Sequence, residues 1–127
     1  MNPSRNIGVL HPGAMGVSVA SSLQARGHSV GWVSAGRRGG TRARAEAGGA
    51  VGSLDEISVW ADALISICPP HGAVALAQRV HATAFSGLYI DANALAPSTS
   101  LRIGEIVGLG AFVDGGIIGP PALQPGT

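Results

Sequence analysis

The chain has 127 residues, of which 46% are hydrophobic and 12% are charged, with a formal net charge of +1. This length suits one domain with a proper core, and so small a net charge argues against a nucleic-acid or membrane-surface partner. The single cysteine, Cys68, excludes an internal disulfide, and the absence of lysine excludes Schiff-base chemistry within these residues. Because no segment is a signal peptide or a membrane span, we expect a cytoplasmic protein.

Short apolar runs alternate with segments of helical character along the whole chain. The runs are almost entirely apolar, which is typical of parallel strands that are covered on both faces. Such an alternation predicts an α/β fold with a Rossmann-type, doubly wound parallel sheet in the strand order 3-2-1-4-5-6. The predicted strands are Ile7–Leu10, Val30–Val33, Ala50–Val51, Ala63–Cys68, Leu88–Ile90 and Ala111–Val113, and the predicted helices are Ala14–Arg26, Leu54–Trp60, Gly72–Ala84 and one that begins at Pro97.

The stretch "GVLHPGAMG" resembles the glycine-rich turn that binds the pyrophosphate of a dinucleotide. Gly13 and Gly16 match the second and third glycines of that fingerprint, while His11 occupies the first position. Pro12 biases His11 toward an extended backbone, so the turn needs no glycine there. The alternative is a plain turn between a strand and a helix, since an incomplete fingerprint is a weak signal. The predicted phosphate-binding residues are His11, Pro12, Gly13, Ala14, Met15 and Gly16.

The end of the second strand indicates which dinucleotide the turn would bind. A site for NAD usually carries an acidic residue about 20 positions after the glycines, but the first acidic residue of this chain is Glu46. Ser34, Arg37 and Arg38 follow the strand instead, and a guanidinium can pair with a 2′-phosphate through two hydrogen bonds. The sequence therefore predicts NADP as the cofactor, with NAD as the alternative and a solvated basic surface as the non-functional interpretation.

Five segments in order resemble the N-terminal domain of the β-hydroxyacid dehydrogenase family. They are "IGVLHPGAMG", "ARGHSVGWVS", "ALISICPP", "YIDANALAPST" and "FVDGGIIGPP". That family includes 3-hydroxyisobutyrate and 6-phosphogluconate dehydrogenases and, more distantly, imine reductases. The resemblance implies the NADP(H)-binding domain of an oxidoreductase that transfers hydride between nicotinamide and a hydroxyl- or imine-bearing carbon of a small molecule. The alternatives are an NAD-dependent 3-hydroxyacid dehydrogenase and a non-catalytic nucleotide-binding module.

The resemblance also assigns residues that follow the later strands. The turn after strand 4 would lie along the cofactor, and Asn93 would lie beside the nicotinamide ribose and the substrate. The substrate-binding "SGG" signature of the family is replaced here by "IGP", so its serine hydroxyl is absent and Gly119 is the remaining substrate residue. The cofactor residues implied after strands 4 and 5 are Cys68, Pro69, Pro70 and Asn93.

The domain organisation follows from the same resemblance. It implies that residues 1–115 are an NADP-binding Rossmann domain and that residues 116–127 begin a linker to a C-terminal helical domain absent from this chain. In most relatives that second domain carries the catalytic lysine and forms a homodimer. We therefore expect no catalytic residue within this chain and no turnover from the segment alone. No metal site is expected, because the four histidines are scattered without carboxylates at ligand spacing.

Overall fold

A computed structural model describes residues 3–10, 14–33, 50–108 and 111–117 of the chain. Six parallel strands form one sheet in the order β3-β2-β1-β4-β5-β6. This order confirms the predicted doubly wound Rossmann topology, in which the direction of strand addition reverses beside β1. The strands are β1 Asn6–Leu10, β2 Ser29–Val33, β3 Ala50–Gly52, β4 Ala63–Ser66, β5 Leu88–Asp91 and β6 Phe112–Asp114.

The helices begin and end at recognisable sequence signals. After α1 the chain turns at Gly27, whose φ of 89° favours glycine. Ser53 and Glu56 form the capping box that starts α2, as their spacing predicts. Pro97 occupies the first turn of α4, where a missing N–H costs no hydrogen bond. The helices are α1 Ala14–Ala25, α2 Leu54–Trp60, α3 Ala73–Ala82 and α4 Pro97–Val107, with a 3₁₀ turn at Pro70–Gly72 before α3.

Two apolar clusters hold the layers together, one on each face of the sheet. On the first face α1 covers β1 and β2, and the second face carries the larger cluster beneath α2, α3 and α4. Burial of these aliphatic and aromatic side chains stabilises the sandwich through the hydrophobic effect. The first cluster contains Val9, Ala20, Val30 and Trp32, and the second contains Leu10, Val33, Ile57, Leu64, Ala73, Ala77, Val80, Tyr89 and Ile103.

The α1 face of the sheet is poorly covered over β5 and β6. Strand register places Val9, Ile65, Ile90 and Val113 in one row across the sheet. Val113 is 45% exposed, and Leu88, two residues before Ile90 and therefore on the same face, is 40% exposed. Within the described ranges, this outer half of the sheet thus has an apolar face in contact with water.

Strand β4 is shorter than the sequence predicted. The apolar run extends to Cys68, but the strand ends at Ser66. The last ladder bond on that side runs from the N–H of Ala92 to the carbonyl of Ser66. The N–H of Cys68 turns instead to the side chain of Asn93. The predicted end of the strand was wrong because apolar composition does not reveal that a distant side chain, that of Asn93, accepts the hydrogen bond of the Cys68 N–H.

Candidate functional site

The carboxyl ends of β1 and β4 lie side by side at the point where the strand order reverses. β1 pairs with β2 on one side and with β4 on the other. Helices leave these two strands toward opposite faces, so a crevice opens outside their carboxyl ends, and ligands bind there in doubly wound sheets. The chain thus has a candidate site at this edge.

The amino end of α1 lies at the crevice. The helix begins at Ala14, four residues after β1 ends at Leu10, and its first turn contains no acidic residue. Unpaired N–H groups and the helix dipole make such an end favourable for an anion. Met15 is half-buried, and Gly16 is buried, as close packing of a helix on a strand requires of the third glycine in the fingerprint.

Several predicted site residues lie outside the described residues, and their assignment stays a prediction. They come from the turn before α1, from the segment after β2 and from the end of the chain. These residues are His11, Pro12, Gly13, Ser34, Arg37, Arg38 and Gly119.

The loops after β4 and β5 are brought together by Asn93. Its Oδ1 accepts a hydrogen bond from the N–H of Cys68 at 2.7 Å. Its Nδ2 donates to Oγ of Ser66 at 3.0 Å and lies 3.6 Å from Sγ of Cys68. Asn93 is only 6% exposed, so the amide is directed into the protein and links the two loops.

Asp91 supports Asn93 from the end of β5. Its Oδ1 accepts a hydrogen bond from the N–H of Asn93 at 2.9 Å. Through this contact Asp91 orients a backbone amide of the loop that follows β5. Its Oδ2 and the hydroxyl of Tyr89, two residues earlier on the same face, are buried without a hydrogen-bond partner among the described residues.

Burial is the main cause of the pKa shifts of Asp91 and Tyr89. Removal from water raises the pKa of the Asp91 carboxyl, the hydrogen bonds from Asn93 oppose that rise, and the neighbouring Asp114 carboxyl adds to it. Burial also raises the pKa of the Tyr89 hydroxyl. A buried ionised carboxylate with one unpaired oxygen is unfavourable, because desolvation disfavours the charged form.

This shift predicts the pH dependence of an Asp91→Asn variant. The native state holds the proton of Asp91 more tightly than the unfolded chain, where the pKa is near 3.8. The free energy of unfolding therefore falls as the pH rises from below 3.8 through the native pKa of Asp91. At neutral pH the whole destabilisation by the buried carboxylate is present. Asparagine keeps an acceptor for Asn93 without the charge, so we expect a Tm a few degrees above wild type at neutral pH.

Thermal unfolding of both proteins across a pH series tests this expectation. The difference in Tm should shrink as the pH falls below 3.8, where the aspartate is protonated in both states. A variant that is less stable than wild type at neutral pH would show that Asp91 stabilises the fold as a carboxylate.

The predicted site residues at this edge differ in their exposure to solvent. Cys68 is half-buried, while Pro69 and Pro70 are exposed at the start of the 3₁₀ turn. His71 is exposed in the same turn. Sequence reasoning missed Ser66, the buried partner of Asn93. A signal was present, since Ser66 is a polar residue inside the apolar run "ALISIC".

The described ranges hold neither a metal-binding cluster nor a membrane-spanning helix. No group of three or more histidine, cysteine, aspartate or glutamate side chains there could hold a metal ion. None of the helices in the same ranges is long and apolar enough to cross a membrane.

Comparison with known proteins gives matches among solved structures only, because no protein-family model and no curated protein matches the chain. A conserved protein of unknown function, described as structurally similar to 3-hydroxyacid dehydrogenases, is 27% identical with a TM-score of 0.81, covering 91% of this chain and 44% of its own. The 3-hydroxyisobutyrate dehydrogenase of Mycobacterium tuberculosis, solved with L-serine, is 22% identical with a TM-score of 0.75, covering 88% of this chain and 39% of its own.

An imine reductase from a Pseudomonas species is similar over a still larger part of the chain. It is 21% identical with a TM-score of 0.76, covering 98% of this chain and 45% of its own. The chain therefore spans less than half the length of each of these three structures. The matched structures include complexes with NADPH and with NAD⁺. The chain thus has the Rossmann-type fold of the matched part of these structures, among which are a 3-hydroxyisobutyrate dehydrogenase and an imine reductase.

Proposed function

We propose that this chain binds NADP(H) at the carboxyl edge of its sheet and serves as the cofactor domain of an oxidoreductase. The observation that carries the proposal is the parallel order β3-β2-β1-β4-β5-β6, with α1 beginning four residues after β1 at the reversal point. When bound, the nicotinamide would supply hydride exchange with a hydroxyl- or imine-bearing carbon. The protein would supply binding, orientation and electrostatics.

The described residues fit a dinucleotide in two respects. The first turn of α1 holds no acidic side chain, so nothing in that turn repels a pyrophosphate. Gly16 is buried there, and a buried glycine lets the helix approach the strand closely enough for the turn to reach the ligand. In this proposal the backbone amides of Gly13, Ala14, Met15 and Gly16 bind the phosphates. Cys68, Pro69 and Pro70 form the wall along the cofactor.

The choice of NADP over NAD is supported by charge in the segment after β2. Arg37 and Arg38 follow Ser34 there, and no acidic residue precedes Glu46. A carboxylate in this segment would bind a ribose 2′-hydroxyl and repel a 2′-phosphate, whereas a guanidinium binds the phosphate. We therefore assign the 2′-phosphate to these arginines.

The rest of the reaction is assigned to a second domain. The matched structures are more than twice as long as this chain, which covers 44% of the first of them. In the proposal residues 1–115 bind the cofactor, residues 116–127 with Gly119 lead from the substrate edge into a helical domain, and that domain supplies the proton-transfer group and the homodimer contact. The small-molecule substrate would then bind between the two domains.

Titration of the full protein with NADPH and NADH tests the proposal. We expect saturable binding of NADPH, and we expect Gly13→Val to abolish it because the backbone must approach the pyrophosphate at that position. His11→Gly is the control variant, and its affinity should stay within a few-fold of wild type because the turn binds through amides. A loss of more than about tenfold in His11→Gly, or about 1.4 kcal/mol, would make the imidazole a ligand. Retained binding in Gly13→Val would contradict the assigned site.

A further inference from the structure

The loops after β4 and β5 form part of the proposed cofactor edge, and one side chain joins them. We propose that Asn93, supported by Asp91, is a positioning residue that locks the loop after β4 against the loop after β5. In this role it shapes the wall formed by Cys68, Pro69 and Pro70 without contacting nicotinamide or substrate itself. The effect on cofactor binding rests on the proposed function. The hydrogen bonds among Asp91, Asn93, Ser66 and Cys68, called the lock below, can be tested without any nucleotide.

The side-chain amide of Asn93 makes its hydrogen bonds to the protein itself. A carboxamide offers one oxygen acceptor and two N–H donors. The oxygen accepts from the N–H of Cys68 at 2.7 Å, and the nitrogen has Oγ of Ser66 at 3.0 Å and Sγ of Cys68 at 3.6 Å. Each donor thus has a neighbour on the β4 side, and the residue is 6% exposed. A ligand that used this amide would have to break contacts that hold the loop.

The two prolines explain why the loop depends on this bond. Pro69 and Pro70 have no N–H, so Cys68 supplies the last backbone donor between β4 and the 3₁₀ turn. The final ladder bond between β4 and β5 runs from Ala92 to Ser66. Beyond this bond no ladder hydrogen bond joins β4 to β5 in the part of the chain that the structure describes. The side chain of Asn93 provides one further hydrogen bond there, from the N–H of Cys68.

Asp91 fixes the position from which Asn93 reaches across. Its Oδ1 holds the N–H of Asn93 at 2.9 Å, and its own carbonyl accepts from the N–H of Gly115 at 2.8 Å. Asp91 is fully buried, so this anchor lies in the interior of the protein. The lock therefore extends from the end of β6, through β5, to the loop after β4.

The test compares Ser66→Ala and Asn93→Ala with Ser100→Ala in the full protein. Ser100 is a buried serine on α4 outside this set of hydrogen bonds, and it serves as the matched control. The first measurement is hydrogen exchange at the Cys68 amide without nucleotide, and the second is the Kd for NADPH. We expect exchange at least about tenfold faster in both lock variants, because a bond that protects the amide is lost or loosened.

The Kd for NADPH separates positioning from direct contact. Ser66 is fully buried and cannot touch a ligand, so the expected three- to tenfold weakening in Ser66→Ala, about 0.7–1.4 kcal/mol, must act through the loop. Ser100→Ala should leave both readouts unchanged. The lock is overturned if Cys68 exchange is unaffected in Asn93→Ala and Ser66→Ala. The positioning role is overturned if exchange accelerates but the Kd stays constant, or if only Asn93→Ala weakens binding.

The proposed function and the lock fail differently. A wild-type protein with no affinity for NADPH would contradict the proposed function, while Cys68 exchange in the same samples would still confirm or overturn the lock. If Asn93→Ala fails to fold, as circular dichroism would show, Ser66→Ala is the variant that decides, since it removes one hydroxyl and loosens the bond from Cys68 to Asn93 without removing either partner.

Discussion

Replacing Arg37 and Arg38 together by alanine is expected to remove most of a ten- to hundredfold preference for NADPH over NADH. A hydrogen bond to a charged group contributes about 1.5–3 kcal/mol, which corresponds to roughly that ratio of affinities. The affinity for NADH should change little, because NADH has no 2′-phosphate for the guanidinium to bind. Parallel titrations of wild type and the double variant with both nucleotides at moderate salt measure the effect.

A second pair of arginines in the same segment provides the matched control. Arg42 and Arg44 lie farther from the end of β2, and we interpret them as solvated surface. Alanine at both of these positions removes the same formal charge, so any loss of affinity from long-range electrostatics alone would appear there too. If wild type binds NADH as tightly as NADPH, or if both double variants behave alike, the assignment of the 2′-phosphate to Arg37 and Arg38 is wrong.

Replacing Gly31 by valine is expected to destabilise the fold by about 1–3 kcal/mol, the usual cost of overpacking a close-packed interior. Gly31 of β2 is the register partner of Gly8 in β1, so at this one register position the two adjacent strands present no side chain to α2. A Cβ at position 31 would lie 2.7 Å from the ring of Trp60 and 3.0 Å from Cδ1 of Ile57. These distances leave no room for a side chain unless the Trp60 ring, the Ile57 side chain or α2 itself shifts.

Urea unfolding measures this cost, and Gly116→Val serves as the control. Gly116 is exposed, and a Cβ added there meets nothing within 4 Å. Both variants replace a non-helical glycine by the same β-branched residue, but only the one at position 31 forces a clash. Equal midpoints for Gly31→Val and wild type would show that α2 adjusts at no cost, and that the glycine pair does not set its distance from the sheet.

Much of this fold is predictable from the sequence because its elements are bounded by local signals. The run "VGWV" identifies β2 and also contains Gly31, and a glycine inside a strand marks a close approach of another element. The capping pair Ser53 and Glu56 predicts the start of α2 for an equally local reason. The alternation of strands and helices predicts a parallel sheet, and its division into two halves of three strands fits the strand order of a Rossmann domain.

The candidate site was less predictable, because its contacts join residues far apart in the chain. The motif after β5 predicts that Asn93 lies at the cofactor edge, but no local pattern tells whether its amide faces the ligand or the protein. That orientation depends on Cys68 and Ser66, which are 25 and 27 residues away. The early end of β4 has the same cause.

The uncovered α1 face over β5 and β6 affects how the domain unfolds. Leu88 and Val113 already meet water in the native state, so unfolding this half exposes less new apolar surface than unfolding the half beneath α1. Both the heat-capacity increment and the urea m-value scale with newly exposed surface. The β5–β6 half therefore contributes less to cooperativity, and the stability curve of the domain is flatter than it would be with both faces covered.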